Sequence, residues 1–503
     1  MRAWFCRGAA SLGVAALCGL ALAAGCANIL DIPGDPFVVL DGGAGGGGVG
    51  GGGGTGGTGT CTGAIKIRIL ADLTGATATV SVPYYQAQVD YFRELNEQGG
   101  IRGCPIEYDD KDYAYDIANA QAIYDEWKSR EDWDEVAALF GWGSGDTLAL
   151  APQLSDDHKP MISASYIGAL AAPQPVRTAV DVPELSSSFE ELSFPTLMQS
   201  PGFPYNFFAG TDYSTGARIA MFHIKALGGK RVGFFHCSAE YCAGPIPAAR
   251  SYAKELGLEL GRDLVLELTE DQATYNAKVQ QYFQEELAQA NLNPGYQPVD
   301  WLWFGNTTKT AAYAAIAVDA TLDSLPELAG VQIMMNNWGM DELLYGVCGA
   351  PCVGRVHGIM PFLAYGDAAH GSSEMPKVTA LHDKWRQIDY DRAMENPGDA
   401  GAPVLKEHRN VRYVQGYVSA MLFRMAAERV IDQGLPIKGD NIRDALETFQ
   451  LVDTGGLTDA ITFSADDHRP QSTESIYLID ADGTLRNEPP DRTITLEQSW
   501  LGW

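Results

Sequence analysis

Gly141-Trp142-Gly143-Ser144-Gly145-Asp146-Thr147 follows the apolar run Val136 to Phe140 and precedes a helix-like pattern. A glycine-rich turn that leaves a strand and opens a helix presents unpaired backbone N–H groups and the positive end of the helix dipole, which together suit a carboxylate. Ser144, Asp146 and Thr147 are placed to add side-chain contacts, and Asp146 could equally cap its own helix. The same segment fails the tests for other chemistries. A dinucleotide loop needs a third glycine and a P-loop needs a following lysine, and both are missing. A serine hydrolase needs the GxSxG spacing with an assignable histidine and acid, and Ser144 lacks that spacing. Zinc fails too, because His236 and His357 lie near cysteines without a repeated CxxC. Tyr213, Tyr241, Asn306, Asn337 and Trp338 each stand where a strand or crossover ends, the position from which side chains of open α/β sheets meet a ligand. Asp341 nearby is a candidate partner for a ligand ammonium.

The elements that must position these residues follow from periodicity. Ile65 to Leu70 alternates as a strand, and Tyr85, Val89, Phe92 and Leu95 recur at helical spacing before Gly99-Gly100 ends the helix. Strands are then expected at Ile106 to Asp109, Val136 to Phe140 and Met161 to Ser163, with helices at Ile117-Ala120-Tyr124-Trp127 and Thr147 to Leu154. A looser Pro- and Ser-bearing stretch between Ala171 and Pro204 reads as a loop insertion near a hinge. A second series follows: strands at Arg231 to Phe235, Leu264 to Leu268, Trp301 to Phe304 and Val331 to Met335, and helices at Pro245 to Leu256, Tyr275 to Leu287 and Thr308 to Asp319. Such alternation implies parallel sheets, hence an α/β chain of two lobes. The later helices, Val411 to Ile431 and Ile442 to Phe449, bring no run of strands and must pack on lobes already built. The chain then finishes with short strands at Ile461 to Phe463 and Ile476 to Leu478.

The N-terminus reads as a secretory signal: Arg2 and Arg7, a Gly/Ala/Leu run, then small residues before Cys26. Leu22-Ala23-Ala24-Gly25-Cys26 resembles a bacterial lipobox, with its Leu displaced by one place, which implies lipidation at Cys26 and a lipid-anchored protein of the periplasm or cell surface. From Asp41 to Thr60 the chain is almost all glycine with scattered threonine, a composition that buries nothing, and the stretch from Cys26 to Cys61 acts as a tether with a root-mean-square reach of roughly 30–35 Å. Of the six cysteines left, Cys237 with Cys242 and Cys348 with Cys352 are near in sequence, and Cys61 with Cys104 follows by elimination. The net charge of −29 repels phosphate backbones, so nucleic acid is excluded as a partner, and the membrane is met only through the anchor.

Several phrases together resemble the type I periplasmic substrate-binding proteins of the branched-chain amino acid transporter class. They are Leu73-Thr74-Gly75, Leu95-Asn96, Gly99 to Gly103, Pro105 to Glu107, Gly141 to Pro152, Pro160 to Ser163, Gly228 to Val232, Gly416-Tyr417 and Arg443 to Leu446, spread from about Ile65 to Leu485. The resemblance implies two Rossmann-like lobes with parallel sheets, joined by three hinge crossovers, that close on a ligand. On that plan residues 1–25 are the signal and 26–61 the linker, 62–207 and 363–455 form the first lobe, and 208–362 with 456–503 form the second. It also implies ligand-carboxylate contacts at Ser144, and places Ser165 and Tyr166 at the strand end that holds the ligand's amino and carboxylate groups. Relatives commonly carry a small residue where Tyr166 stands, so a phenol there would narrow the pocket or stack on a ring. The implied function is capture of a small amino-acid-like, polar or aromatic solute for the membrane permease of an ABC importer, without catalysis and without a cofactor. The same fold could instead serve a sensor protein, and a hydrolase is the reading from another class.

Overall fold

The computed structural model describes residues 63–177, 199–367, 371–395 and 409–503. The signal, Cys26, the glycine tether, Cys61 and most of the Ala171 to Pro204 insertion lie outside the described residues.

The first sheet has the order β2-β1-β3-β4-β5, built from β1 (Ile65–Ala71), β2 (Ile106–Asp112), β3 (Val136–Gly141), β4 (Met161–Ser163) and β5 (Asn206–Phe207), with neighbouring strands parallel. β3 is buried at every residue, as a central strand covered on both faces must be. Helices α1 (Ala78–Glu97), α2 (Ile117–Lys128) and α3 (Ser144–Asp156) cover it, and Asp116 caps α2 by accepting from the Asn119 N–H at 3.0 Å.

The chain then crosses to α4 (Tyr213–Ala226) and the second sheet. Its parallel part is β6 (Arg231–His236), β7 (Glu259–Val265), β8 (Trp301–Gly305), β9 (Gln332–Met335) and β10 (Val356–Met360). The antiparallel strands β11 (Thr473–Ile479) and β12 (Leu485–Asn487) extend it to the order β12-β11-β10-β9-β8-β6-β7. Helices α5 (Ile246–Glu255), α6 (Gln272–Leu292) and α7 (Thr308–Leu322) belong to this lobe. After β10 the chain goes back to the first lobe through α8 (Met375–Glu395), α9 (Val411–Asp432) and α10 (Gly439–Glu447), and it crosses a third time to β11. The result is an α/β fold of two parallel-sheet lobes joined by three crossovers.

Helix α9 lies along α1 so closely that a Cβ on Gly416 would collide with the Tyr84 carbonyl. Gln88 Nε2 donates to Ser419 Oγ at 2.9 Å, and Tyr413 Oη donates to Asp90 at 2.9 Å. Arg386 of α8 donates twice to the same Asp90, at 2.7 and 2.8 Å. Burial pushes the Asp90 carboxyl up to about 6 even against that guanidinium.

Four expectations need correction. The strand read at Leu264 to Leu268 begins earlier, at Glu259, and ends at Val265, because a register shift opposite Gly233 lets the ladder start among polar residues. No ladder forms at Ile461 to Phe463: Ile461 and Phe463 are buried, but their N–H groups donate to Val452 and Phe449, two partners that do not make one strand. Ile117 is 46% exposed and does not face the core; it lies against Gly145 at the opening of α3. Helix α8 was missed, since its apolar residues are few among charged ones. Cys237–Cys242 and Cys348–Cys352 are disulfides, and Cys104 is buried.

Candidate functional site

The C-terminal ends of both sheets face one cleft. On the first lobe the Asp72 carboxylate organises the β1 turn, accepting from the N–H groups of Gly75 at 2.6 Å and Thr77 at 2.9 Å and from Thr77 Oγ1 at 2.6 Å. Thr77 Oγ1 in turn accepts from Trp142 Nε1 at 2.8 Å, which sets that indole on the cleft wall. Gly143 is required where it stands, because a Cβ would run into the Asp146 carboxylate and the Tyr113 phenol. Ser144 opens α3, and its hydroxyl accepts from Ser165 Oγ at 3.0 Å.

Asp146 is buried, with one oxygen accepting from Tyr113 Oη at 2.9 Å and the other unpartnered. Burial pushes its carboxyl up to about 7, against the Tyr113 hydrogen bond. Tyr113 and Tyr115 follow β2, and the loop carries Ala114 at φ 53° and Tyr115 at φ 56°. Left-handed backbone at non-glycine residues is strained, and here it aims the Tyr115 ring into the cleft.

The second lobe meets this wall through Tyr213, whose phenol donates to the Ala164 carbonyl at 3.1 Å, accepts from Trp338 Nε1 at 2.8 Å and lines the cleft beside Ser144. Trp338 packs edge-on against Trp142 at 5.1 Å between centroids, and stacks on Tyr166 at 5.7 Å. Arg412, at the start of α9, lies 4.9 Å over the Trp338 ring and donates to the carbonyls of Asn337 at 2.8 Å and Met340 at 2.9 Å. The cleft is therefore nearly filled by its own side chains: its cavity is about 20 Å³, lined by Thr77, Tyr115, Trp142, Ser144, Tyr213 and Trp338 among others. That is space for a water or two.

The fold brings together Ser144, Ser165, Tyr213, Tyr241 and Trp338, with Asp146 just behind Gly143. Other expected residues are occupied elsewhere. Thr147 is fully buried and donates to the Gly143 carbonyl at 2.6 Å, a bond within its own helix turn. Asn306 accepts from Tyr241 Oη at 3.0 Å and donates to the Leu266 carbonyl at 3.0 Å, so it braces a cleft residue. Tyr166 is 1% exposed, packed among Phe208, Tyr213, Trp338 and Phe362. Asp341 accepts from Thr308 Oγ1 at 2.5 Å and lies 3.5 Å from Arg412, which takes it out of reach of a ligand ammonium. Asn337 gives its carbonyl to Arg412 and leaves its side-chain Nδ2 unpartnered in a second, inner space. Sequence reasoning did not select Thr77, Tyr113, Tyr115, Trp142 or Arg412; Tyr113 and Trp142 follow strands, the signal that could have found them.

Among the described residues one group could hold a metal ion, His223, His357 and Glu488, with ligand atoms all within 4.8 Å of one another. Arg492 Nε donates to His223 Nδ1 at 3.1 Å, so the neutral ring carries its proton on Nε2, where a metal would need the lone pair. His357 Nδ1 meets Glu488 at 3.0 Å. The group reads as two separate hydrogen bonds, Arg492 to His223 and His357 to Glu488, with His223 Nε2 left unpartnered. No helix among the described residues is long and apolar enough to cross a membrane.

Residues 64–283 match the family model described as periplasmic binding protein. No curated protein matches the chain. Among solved structures, an ABC transporter substrate-binding protein from Aeropyrum pernix is 24% identical at TM-score 0.67, over 88% of this chain and 99% of that one. A fatty acid ABC transporter substrate-binding protein from Thermomonospora curvata is 18% identical at TM-score 0.62, over 88% and 95%. A branched-chain amino acid ABC transporter protein from Thermus thermophilus, solved with bound valine, is 17% identical at TM-score 0.65, over 87% and 98%. With two parallel-sheet lobes facing one cleft, and with residues 64–283 matching that family model, the chain has the fold of the type I periplasmic binding proteins.

Proposed function

We propose that the protein is a lipid-anchored solute-binding protein that captures a small amino-acid-like, polar or aromatic molecule between its lobes and delivers it to the permease of an ABC importer. The lobes of this reading are residues 62–207 with 363–455, and 208–362 with 456–503. The observation that carries it is the Tyr213 phenol, which donates to the Ala164 carbonyl of the first lobe and accepts from Trp338 Nε1 of the second, beside the Ser165–Ser144 pair at the cleft. A ligand polar group set between Ser144 and Tyr213, which line the same cavity, would bridge the two lobes, and closure would be favoured by what the ligand bonds on both sides. The indoles of Trp142 and Trp338 and the phenol of Tyr115 supply the apolar walls. Lipidation at Cys26 and the glycine tether would hold this body near a membrane-embedded partner.

The test is a thermal-shift screen of the full-length protein against amino acids, amides, amines and aromatic acids, since a ligand at 100-fold over Kd adds about 2.7 kcal/mol of stability. A hit should bind one per chain, and Ser144→Ala should weaken it by at least a few-fold. A screen with no shift for any compound would count against solute capture.

A further inference from the structure

On the other side of Tyr213 and Tyr241 from the cleft lies an inner chamber of about 10 Å³, lined also by Thr211, Asp212, Trp303, Asn337 and Glu474. Both tyrosines line the outer cleft as well, so the two spaces share a wall. Two carboxylates reach the chamber with an unpartnered oxygen each: Asp212 Oδ2, on a residue 1% exposed, and Glu474 Oε2, on a residue 1% exposed. Asp212 caps α4 with its other oxygen, accepting from the Thr215 N–H at 2.9 Å. Gly216 keeps α4 clear of the second carboxylate, since a Cβ there would sit 3.0 Å from Glu474 Oε1 and 3.0 Å from Ile359.

No lysine, arginine or histidine lines either space. The cation nearest along the helix, Arg218, is held between Trp500 at 4.4 Å and Trp503 at 4.8 Å, and its terminal nitrogens bond to neither acid. The Arg218 charge still acts on Asp212, while burial and the neighbouring Asp212 carboxylate push the Glu474 carboxyl well above the usual carboxylate range, so a cation set between the two acids would be drawn to both. Trp303 Nε1 and Asn337 Nδ2 add two unpartnered donors to the wall, but an anion entering there would meet both acids. The group that fits by charge is a positive donor, and by size it is no larger than a water.

We infer that this chamber is a subsite for a primary ammonium group, set between Asp212 and Glu474, and that the ligand of the cleft is a small primary amine whose carbon body lies against Trp142, Trp338 and Tyr115. The inference rests on solute capture in the cleft and names the class of solute. A water-sized –NH3+ fits the chamber, and a trimethylammonium head does not.

The experiment is titration calorimetry on the full-length protein with primary amines from methylamine to 2-phenylethylamine, each paired with the alcohol of the same carbon skeleton and with its N-trimethyl derivative. At least one amine should bind tenfold or more tightly than both of its partners. Glu474→Gln should remove that preference while leaving the melting temperature of the unliganded protein unchanged or raised, because it replaces a buried carboxyl that burial holds well above its ordinary range with a neutral group of the same shape. Amines that bind no better than their alcohols, or whose preference survives Glu474→Gln, would overturn the subsite. Failure of every amine while another solute class binds would overturn the amine alone, whereas failure of every compound in the broader screen would remove solute capture itself.

Discussion

At the scale of single residues, the cleft is governed by polar groups taken out of water. Asp146 shows the sign of the effect. Its carboxyl, pushed up to about 7 by burial, keeps in the folded state a proton that the unfolded chain has released by about pH 4. Between those values the folded state binds more protons, so stability falls as pH rises through that window. Asp146→Asn, which retains an acceptor for Tyr113, is expected to flatten the fall between pH 4 and 7 and to leave the variant at least as stable as the parent at pH 8, as read by urea midpoints across pH. Glu342, also pushed up to about 7 by burial, contributes in the same sense, so a residual slope should persist. Ser144, Ser165, Tyr213, Tyr241 and Trp338 were legible because they end strands or crossovers of a recognisable series. Glu474 was not legible: it sits in an antiparallel strand far along the chain, and nothing in its neighbours marks it as buried. Asn306 and Asp341 occupy positions of the right kind, but the groups that claim them, Tyr241 and Arg412, come from elsewhere in the sequence.

At the scale of elements, the contact between α1 and α9 ties the first half of the chain to its return segment. The absent side chain of Gly416 permits it. Gly416→Val would force the helices apart or distort α1 at Tyr84, and overpacking of this kind costs about 1–3 kcal/mol or more. Equilibrium denaturation should show a lower midpoint, while α9 itself, rich in helix-forming residues, should keep its helical signal. Strong periodicity made most strands and helices readable, α9 among them. The misread elements share a cause: in β7 and α8 the partners that stabilise the element lie on another segment, so the local pattern is weak.

At the scale of the whole molecule, Arg412 is the part that bears on lobe closure. It belongs to a helix of the first lobe and spends two donors on carbonyls of the second, beside Asp341. Arg412→Ala should leave Asp341 buried without its partner, destabilise the closed arrangement by about 3 kcal/mol or more, and give a larger radius of gyration by solution scattering. Arg412→Lys should behave more like the alanine variant than the parent, since one ammonium cannot reproduce a planar fork aimed at two carbonyls. An unchanged scattering profile in both would dissociate the residue from closure.

A gap that its own aromatic rings already fill has a kinetic corollary. A guest cannot enter until the rings and lobes part, so its capture waits on a motion that the empty protein makes unaided. Arrival rates should level off as guest concentration climbs, at a ceiling equal to the frequency of spontaneous opening, and the same barrier would hold a captured guest until something outside pries the halves apart.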